Sequence, residues 1–188
     1  DSAEHFAGGY FNVWGTLVND GLIWSRPADG GSGANAVAVN GDLADLSNFG
    51  TIVARAPIGD AVAVSVMNSF TAGDIANGGE IFALAAAANA WGVRSTRGPD
   101  SITNDGTIAV QAFTDPLEPY DPFWPRWTGK AYGIQESGGN CAIVNGSAGQ
   151  ILVEGDWAVG IWARGSAASA GIPYDIDNRG LIQVVSTS

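Results

Sequence analysis

Carboxylates in close pairs are the side chains of this sequence with the strongest claim to chemistry. Asp175 and Asp177 stand two residues apart, as do Glu154 and Asp156, and Glu118 shortly precedes Asp121. A spacing of two on an extended strand puts both side chains on one face. Two carboxyl groups flanking a sugar can hydrolyse its glycosidic bond, at separations of about 5 Å for retention and about 6.5–9.5 Å for inversion. Eliminative cleavage would want a cation beside such a pair, and Arg126, Arg164 and Arg179 are available. Carboxylates scattered over a solvated acidic surface are nonetheless their ordinary state. His5 is the only histidine, so a serine or cysteine triad has little to stand on. Cys141 is the only cysteine and can form no intrachain disulfide; followed by Ala142 and Ile143, it reads as a small core hydrophobe and not as a reactive thiol. No residue is assigned as catalytic, and metal sites of the His/Cys type are excluded by number.

Calcium is the one cofactor the sequence brings to mind. Residues 30–38 read Gly-Gly-Ser-Gly-Ala-Asn-Ala-Val-Ala, which resembles the calcium-binding nonapeptide of repeats-in-toxin proteins, with Asn35 in place of the ligand aspartate. That motif builds its site between tandem copies, and here it occurs once. A glycine-rich turn is the plainer expectation.

The elements that must position these groups come from an internal repeat. An aliphatic residue stands two places before each of Asn19, Asn48, Asn77, Asn104, Asn145 and Asn178. Five of these asparagines lead through Gly21, Gly50, Gly79, Gly106 and Gly180 to Ile23, Ile52, Ile81, Ile108 and Ile182; after Asn145, two extra residues precede Gly149 and Ile151. Successive asparagines are 29, 29, 27, 41 and 33 residues apart. Helical repeats of similar period need strong helix formers, whereas this chain has 27 glycines and β-branched residues in each conserved stretch.

A coil of parallel strands accounts for the pattern. In Thr51–Ala56 the two-residue period sends Ile52, Ala54 and Ala56 inward and Thr51 and Arg55 outward, and Ile81 and Ile108 open equivalent strands. A second strand follows in segments such as Ala61-Val62-Ala63-Val64, Ala90-Trp91-Gly92-Val93 and Ala131-Tyr132-Gly133-Ile134. There a bend at the Ala or Gly position is expected to turn the last aliphatic inward. The third strand carries Leu46, Ile75, Ile102, Ile143 or Ile176 into the asparagine corner. Asparagine and glycine both tolerate a left-handed backbone, so Asn-x-Gly is expected to make a tight turn of that kind. Stacked in register, the amides would hydrogen-bond up and down a ladder.

Repeats of the form aliphatic-x-Asn-x-Gly-x-Ile, followed by Ala-x-Gly-Ile, resemble those of bacterial autotransporter passengers and related secreted right-handed parallel β-helix proteins. The match covers roughly residues 12 to 188. It implies an all-β, right-handed parallel β-helix of about five coils of three short strands, a single domain over residues 1–188, about 25 Å long at ~4.8 Å per coil. For activity it is less specific, because that superfamily holds adhesins, toxins, tailspikes, lyases and hydrolases.

One insertion, over residues 112–130, departs from the repeat. Pro116, Pro119, Pro122 and Pro125 recur at the three-residue turn of a polyproline II helix, with Tyr120, Phe123, Trp124 and Trp127 among the side chains between and after them. Such an arm can clamp the solenoid, covering the outward apolar column Trp24, Val53, Phe82, Ala109 and Leu152. It can also stack on glycans or meet another subunit. Both ends of the repeat look uncapped, which points to a fragment of a longer passenger or to a subunit that stacks end to end.

Nineteen acidic against eight basic residues give a net charge of −11, which opposes nucleic-acid binding. No stretch has the ~20 apolar residues of a membrane helix. The expected function is that of a non-enzymatic module, secreted or displayed on a bacterial surface, whose partners are its own copies or a host-surface glycan or protein. The alternatives are a glycan-active enzyme and a carbohydrate-binding module.

Overall fold

The computed structural model describes residues 4–7, 11–27, 35–67, 73–96, 100–113, 129–138, 141–165 and 174–187, and all regular structure among them is β-strand. The strands form three columns along one axis, every neighbouring pair being parallel. In the first column, β1 (Glu4–Ala7), β3 (Leu22–Arg26), β5 (Thr51–Ala56), β8 (Glu80–Ala85), β11 (Thr107–Ala112), β14 (Gln150–Gly155) and β17 (Leu181–Ser186) make a seven-stranded sheet in that order. The second column holds β6 (Ala61–Val66), β9 (Ala90–Ser95), β12 (Lys130–Glu136) and β15 (Trp157–Ala163). The third holds β7 (Asp74–Asn77), β10 (Ser101–Asn104), β13 (Ala142–Asn145) and β16 (Asp175–Asn178).

Two longer strands join the second and third columns. β4 (Ala36–Asn48) pairs with β6 along its first half and with β7 along its second, and β2 (Phe11–Asn19) lies along β4, so a single ten-stranded sheet results. Three separate strands per coil therefore hold only from the third coil onward. In the first two coils no loop intervenes, and the bend is taken by Gly15 (φ 113°) and Gly41 (φ 154°). A Cβ on Gly41 would lie 2.0 Å from the Val13 carbonyl oxygen, so contact as well as conformation demands glycine there.

The expected isoleucine stack forms the core. Ile23, Ile52, Ile81, Ile108, Ile151 and Ile182 are successive register partners, and the middle four are at most 1% exposed. Leu46, Ile75, Ile102 and Ile143 stack likewise in the third column. Burying each such side chain contributes roughly 1.5–3 kcal/mol. The bend in the second strand is also present. Pairing skips Ala63, Gly92 and Gly133, while Ala63 and Val64 are both fully buried in the main core. A Cβ on Gly92 would meet Ile108 Cγ2 at 2.5 Å, and one on Gly133 would meet Ile151 Cγ2 at 2.5 Å. The small residue thus admits the isoleucine of the first column, and Val62, Trp91 and Tyr132 are left outside as a separate cluster.

The last coil differs from those before it. Ile176 and Val184, which continue the core columns of Ile143 and Val153, are 48% and 44% exposed. Their upper faces pack on the preceding coil, and no described residue covers the other side.

Candidate functional site

The six asparagines superimpose into one continuous ladder. Each Nδ2 donates to the next Oδ1: Asn19 to Asn48, Asn48 to Asn77 and Asn77 to Asn104 at 2.7 Å, then Asn104 to Asn145 and Asn145 to Asn178 at 2.8 Å. The second Nδ2 hydrogen goes to a first-column carbonyl of the next coil, as from Asn48 to Glu80 at 3.1 Å and from Asn104 to Gln150 at 3.2 Å. The asparagine main chain is engaged too. Phe49 and Gly50 both donate to the Asn19 carbonyl, at 2.8 and 2.9 Å, and Gly78 and Gly79 repeat the pattern on Asn48. Asn48, Asn104 and Asn145 are completely buried, so no surface amide could be substituted for these bonds at small cost.

The glycines of the ladder serve a purpose other than the expected one. Among the described residues, the glycines with positive φ are Gly15 and Gly41, so the corner glycines do not adopt the left-handed backbone expected of them. What they need is closeness. A Cβ on Gly50 would lie 2.1 Å from the Gly21 carbonyl oxygen, one on Gly79 2.1 Å from that of Gly50, one on Gly106 2.1 Å from that of Gly79, and one on Gly180 2.2 Å from that of Gly149. Only a residue without a side chain lets successive corners come within hydrogen-bonding distance. The two extra residues after Asn145 are absorbed by a local turn, Gly149 N donating to the Gly146 carbonyl at 2.9 Å, and the ladder passes through unbroken.

The carboxylates are not assembled around one cleft. Asp177 on β16 is paired with Arg179, whose Nε donates to it at 2.8 Å, and Asp175 lies two residues before it on the exposed last coil. Glu154 faces out from β14, where Oε2 accepts from Gln111 Nε2 at 3.0 Å, while Asp156 turns the corner and accepts from Thr187 Oγ1 at 3.3 Å. The outward column Trp24, Val53, Phe82, Ala109 and Leu152 is in register and half-buried, as expected. Between Phe82 and Leu152 the small Ala109 leaves a shallow groove of about 250 Å³, to which Glu154 brings the one carboxylate.

Several sequence candidates lie outside the described residues: Glu118, Asp121, Arg126 and the arm's Pro116, Pro119, Tyr120, Pro122, Phe123, Trp124, Pro125 and Trp127. The same holds for residues 30–34 of the nonapeptide. Its remainder is strand β4, entered from Asn35, whose Oδ1 accepts from Asp60 N at 3.0 Å. His5 takes the register position opposite Trp24 in β1. No three His, Cys, Asp or Glu side chains among the described residues are grouped to hold a metal ion.

Cys141 is 1% exposed, and burial, with Glu136 and Asp100 adding their charge, pushes its thiol up to about 12 from 9.0. Alkylation by iodoacetamide at pH 8 is therefore expected to be slower by about 1000-fold than in the urea-unfolded chain, from the thiolate fraction alone. Mass-spectrometric rate measurement in the two states checks this; comparable rates would contradict it. Because the folded value is the higher one, this group's contribution is intact below pH 9 and is lost as pH rises from 9 towards 12.

An aromatic strip on the outer face of the second column is the feature that sequence reasoning passed over. Trp91 and Tyr132, register partners on β9 and β12, stack with centroids 5.9 Å apart and planes 3° apart. On its other side Tyr132 meets Trp157 at 5.3 Å and Trp162 at 6.4 Å, both edge-on, and burial pushes its phenol pKa up. Arg94 Cζ lies 4.8 Å from the Trp91 ring centre, and Lys130 Nζ 5.3 Å from that of Trp157. The signal was present: Trp91 and Tyr132 hold the same place in successive repeats. Trp162 belongs to the next outward row, however, and is seen beside them only once the register is known.

The coils define the class: this chain is a parallel β-solenoid of about five turns. Comparison with family models, with curated proteins and with solved structures gives no match.

Proposed function

We propose that the chain is a non-enzymatic structural module of an extracellular rod, of the kind found in autotransporter-like passengers and surface fibres. The observation that supports this best is the unbroken amide ladder, which spends the repeat's conserved residues on stacking coils and on nothing else. A rod so built is stiff along its axis, and its described strands have their backbone groups paired with the neighbouring coils. Its last described coil exposes Ile176 and Val184 in core positions and ends the ladder at the exposed Asn178. A further coil of the same repeat, from a continuation of the chain or from another copy stacked end to end, would cover them. A contact between copies is heterologous and grows into a filament.

Electron microscopy and light scattering of the purified chain test the stacking. Rods in multiples of the ~25 Å unit are expected as concentration rises, and more readily at acid pH, where the net charge of −11 is reduced. Ile182→Asp should abolish growth. Short rods of one length at every concentration would remove the fibre form of the proposal.

A further inference from the structure

We infer that the aromatic strip on the second column is a saccharide-binding site, selective for sugars that carry a carboxylate. Three features lead there independently. The first is apolar surface with flat faces. Trp157 is 43% exposed and Trp162 is half-buried, both held edge-on by Tyr132, so their rings offer the surfaces on which the C–H faces of a pyranose stack.

The second is unmatched hydrogen-bonding capacity. Trp91 Nε1, a donor, and Gln135 Oε1, an acceptor, are buried with no hydrogen-bond partner among the described groups, and they belong to adjacent coils of this one strip. Trp91 as a whole is only 7% exposed. Buried polar atoms left unpaired in this way are rare in folded proteins. A sugar hydroxyl both accepts and donates, so one chemical group answers both.

The third is charge. The two outward rows of this face read Val37, Val62, Trp91, Tyr132, Val159 and Asn40, Ser65, Arg94, Gln135, Trp162. Neither row contains a carboxylate, on a chain whose net charge is −11, and the only lysine, Lys130, borders them. The carboxylates at the adjoining corner are engaged: Asp60 accepts from the Asn89 amides at 3.1 Å, and Asp156 accepts from Thr187. A cationic ligand would meet like charge here, since Arg94 lies 4.8 Å from the Trp91 ring centre and Lys130 5.3 Å from that of Trp157. A polyphosphate would meet the overall negative field without a stripe of cations to track. A uronic-acid oligomer supplies ring faces, hydroxyls and a carboxylate together.

The site stands on the outer face alone, so failure of end-to-end growth leaves it untouched. Tryptophan fluorescence and calorimetric titration of the full chain should be run with a galacturonate oligomer, a neutral galactose oligomer of equal length and a polyglutamate peptide of equal charge. Saturable binding is expected for the galacturonate oligomer only, weakening as salt rises. Trp162→Ala should reduce affinity at least tenfold, and the exposed Lys130→Gln about fivefold with most of the salt dependence lost, the circular dichroism of both remaining that of the parent. The inference is overturned by no saturable signal up to millimolar galacturonate, by equal binding of the neutral oligomer or of the peptide, or by wild-type affinity in Lys130→Gln.

Discussion

Asn77→Ala is expected to destabilise the chain by about 4 kcal/mol, since each buried polar group left without its partner costs roughly 1–3 kcal/mol. The substitution removes the acceptor for Asn48 Nδ2 and the donor to Asn104 Oδ1, both 2.7 Å bonds, and also a 3.3 Å bond to the Thr107 carbonyl. Asn48 and Asn104 are wholly buried, so water cannot replace what is lost. Asn178→Ala provides the comparison. It deletes one 2.8 Å rung at an exposed residue and should cost about 1 kcal/mol or less. Urea unfolding of the two variants beside the parent reads the difference directly. If they fall within 1 kcal/mol of one another, the ladder is an accompaniment of coil stacking and not a cause of it.

Gly79→Ala should be worse still, at about 4–5 kcal/mol or with loss of the folded state, a size reserved for a short list of mechanisms of which backbone overpacking is one. Its new Cβ would stand 2.1 Å from the Gly50 carbonyl oxygen and 2.7 Å from the Phe49 carbonyl carbon. Both are main-chain atoms of the coil before, and neither can step aside without breaking the bonds that Gly79 N makes to Asn48 and Glu80 N makes to Gly50, at 3.0 and 2.8 Å. Gly78, its immediate neighbour, meets nothing nearer than Phe49 Cδ1 at 3.5 Å. Gly78→Ala should therefore be neutral, or stabilising by a few tenths of a kcal/mol through the unfolded chain. Thermal unfolding of this adjacent pair separates steric need from conformational need. Equal losses at both positions would show that the corner demands glycine's backbone freedom after all.

These two residues also mark how far the sequence could be read. The asparagine column was legible as a hydrogen-bonded ladder because a residue recurring in register must meet its own copy, and a carboxamide meeting a carboxamide has both a donor and an acceptor to offer. The isoleucine core was legible for the same reason. The reason for the glycines was not. Recurrence shows that a side chain is forbidden, yet it does not show whether φ or a neighbouring carbonyl forbids it, and Gly79 belongs to the second kind. The merging of two columns through β4 escaped notice because the repeat predicts strands one coil at a time, whereas the absence of a loop between Val39 and Leu46 matters only beside β2. The aromatic strip was half visible. Trp91 and Tyr132 align in the repeat, but Gln135 and Trp162 join them on the outer face because the in-and-out alternation along each strand is interrupted at Gly133 and Gly160, the register between strands staying constant.

Every rung of the ladder points the same way, from the amide nitrogen of one coil to the amide oxygen of the next towards Asn178. The side-chain dipoles consequently add along the axis where a mixed set of orientations would cancel, and each bond polarises the one after it. The molecule has a chemical head and a chemical tail, so anything assembled from it end to end inherits a direction.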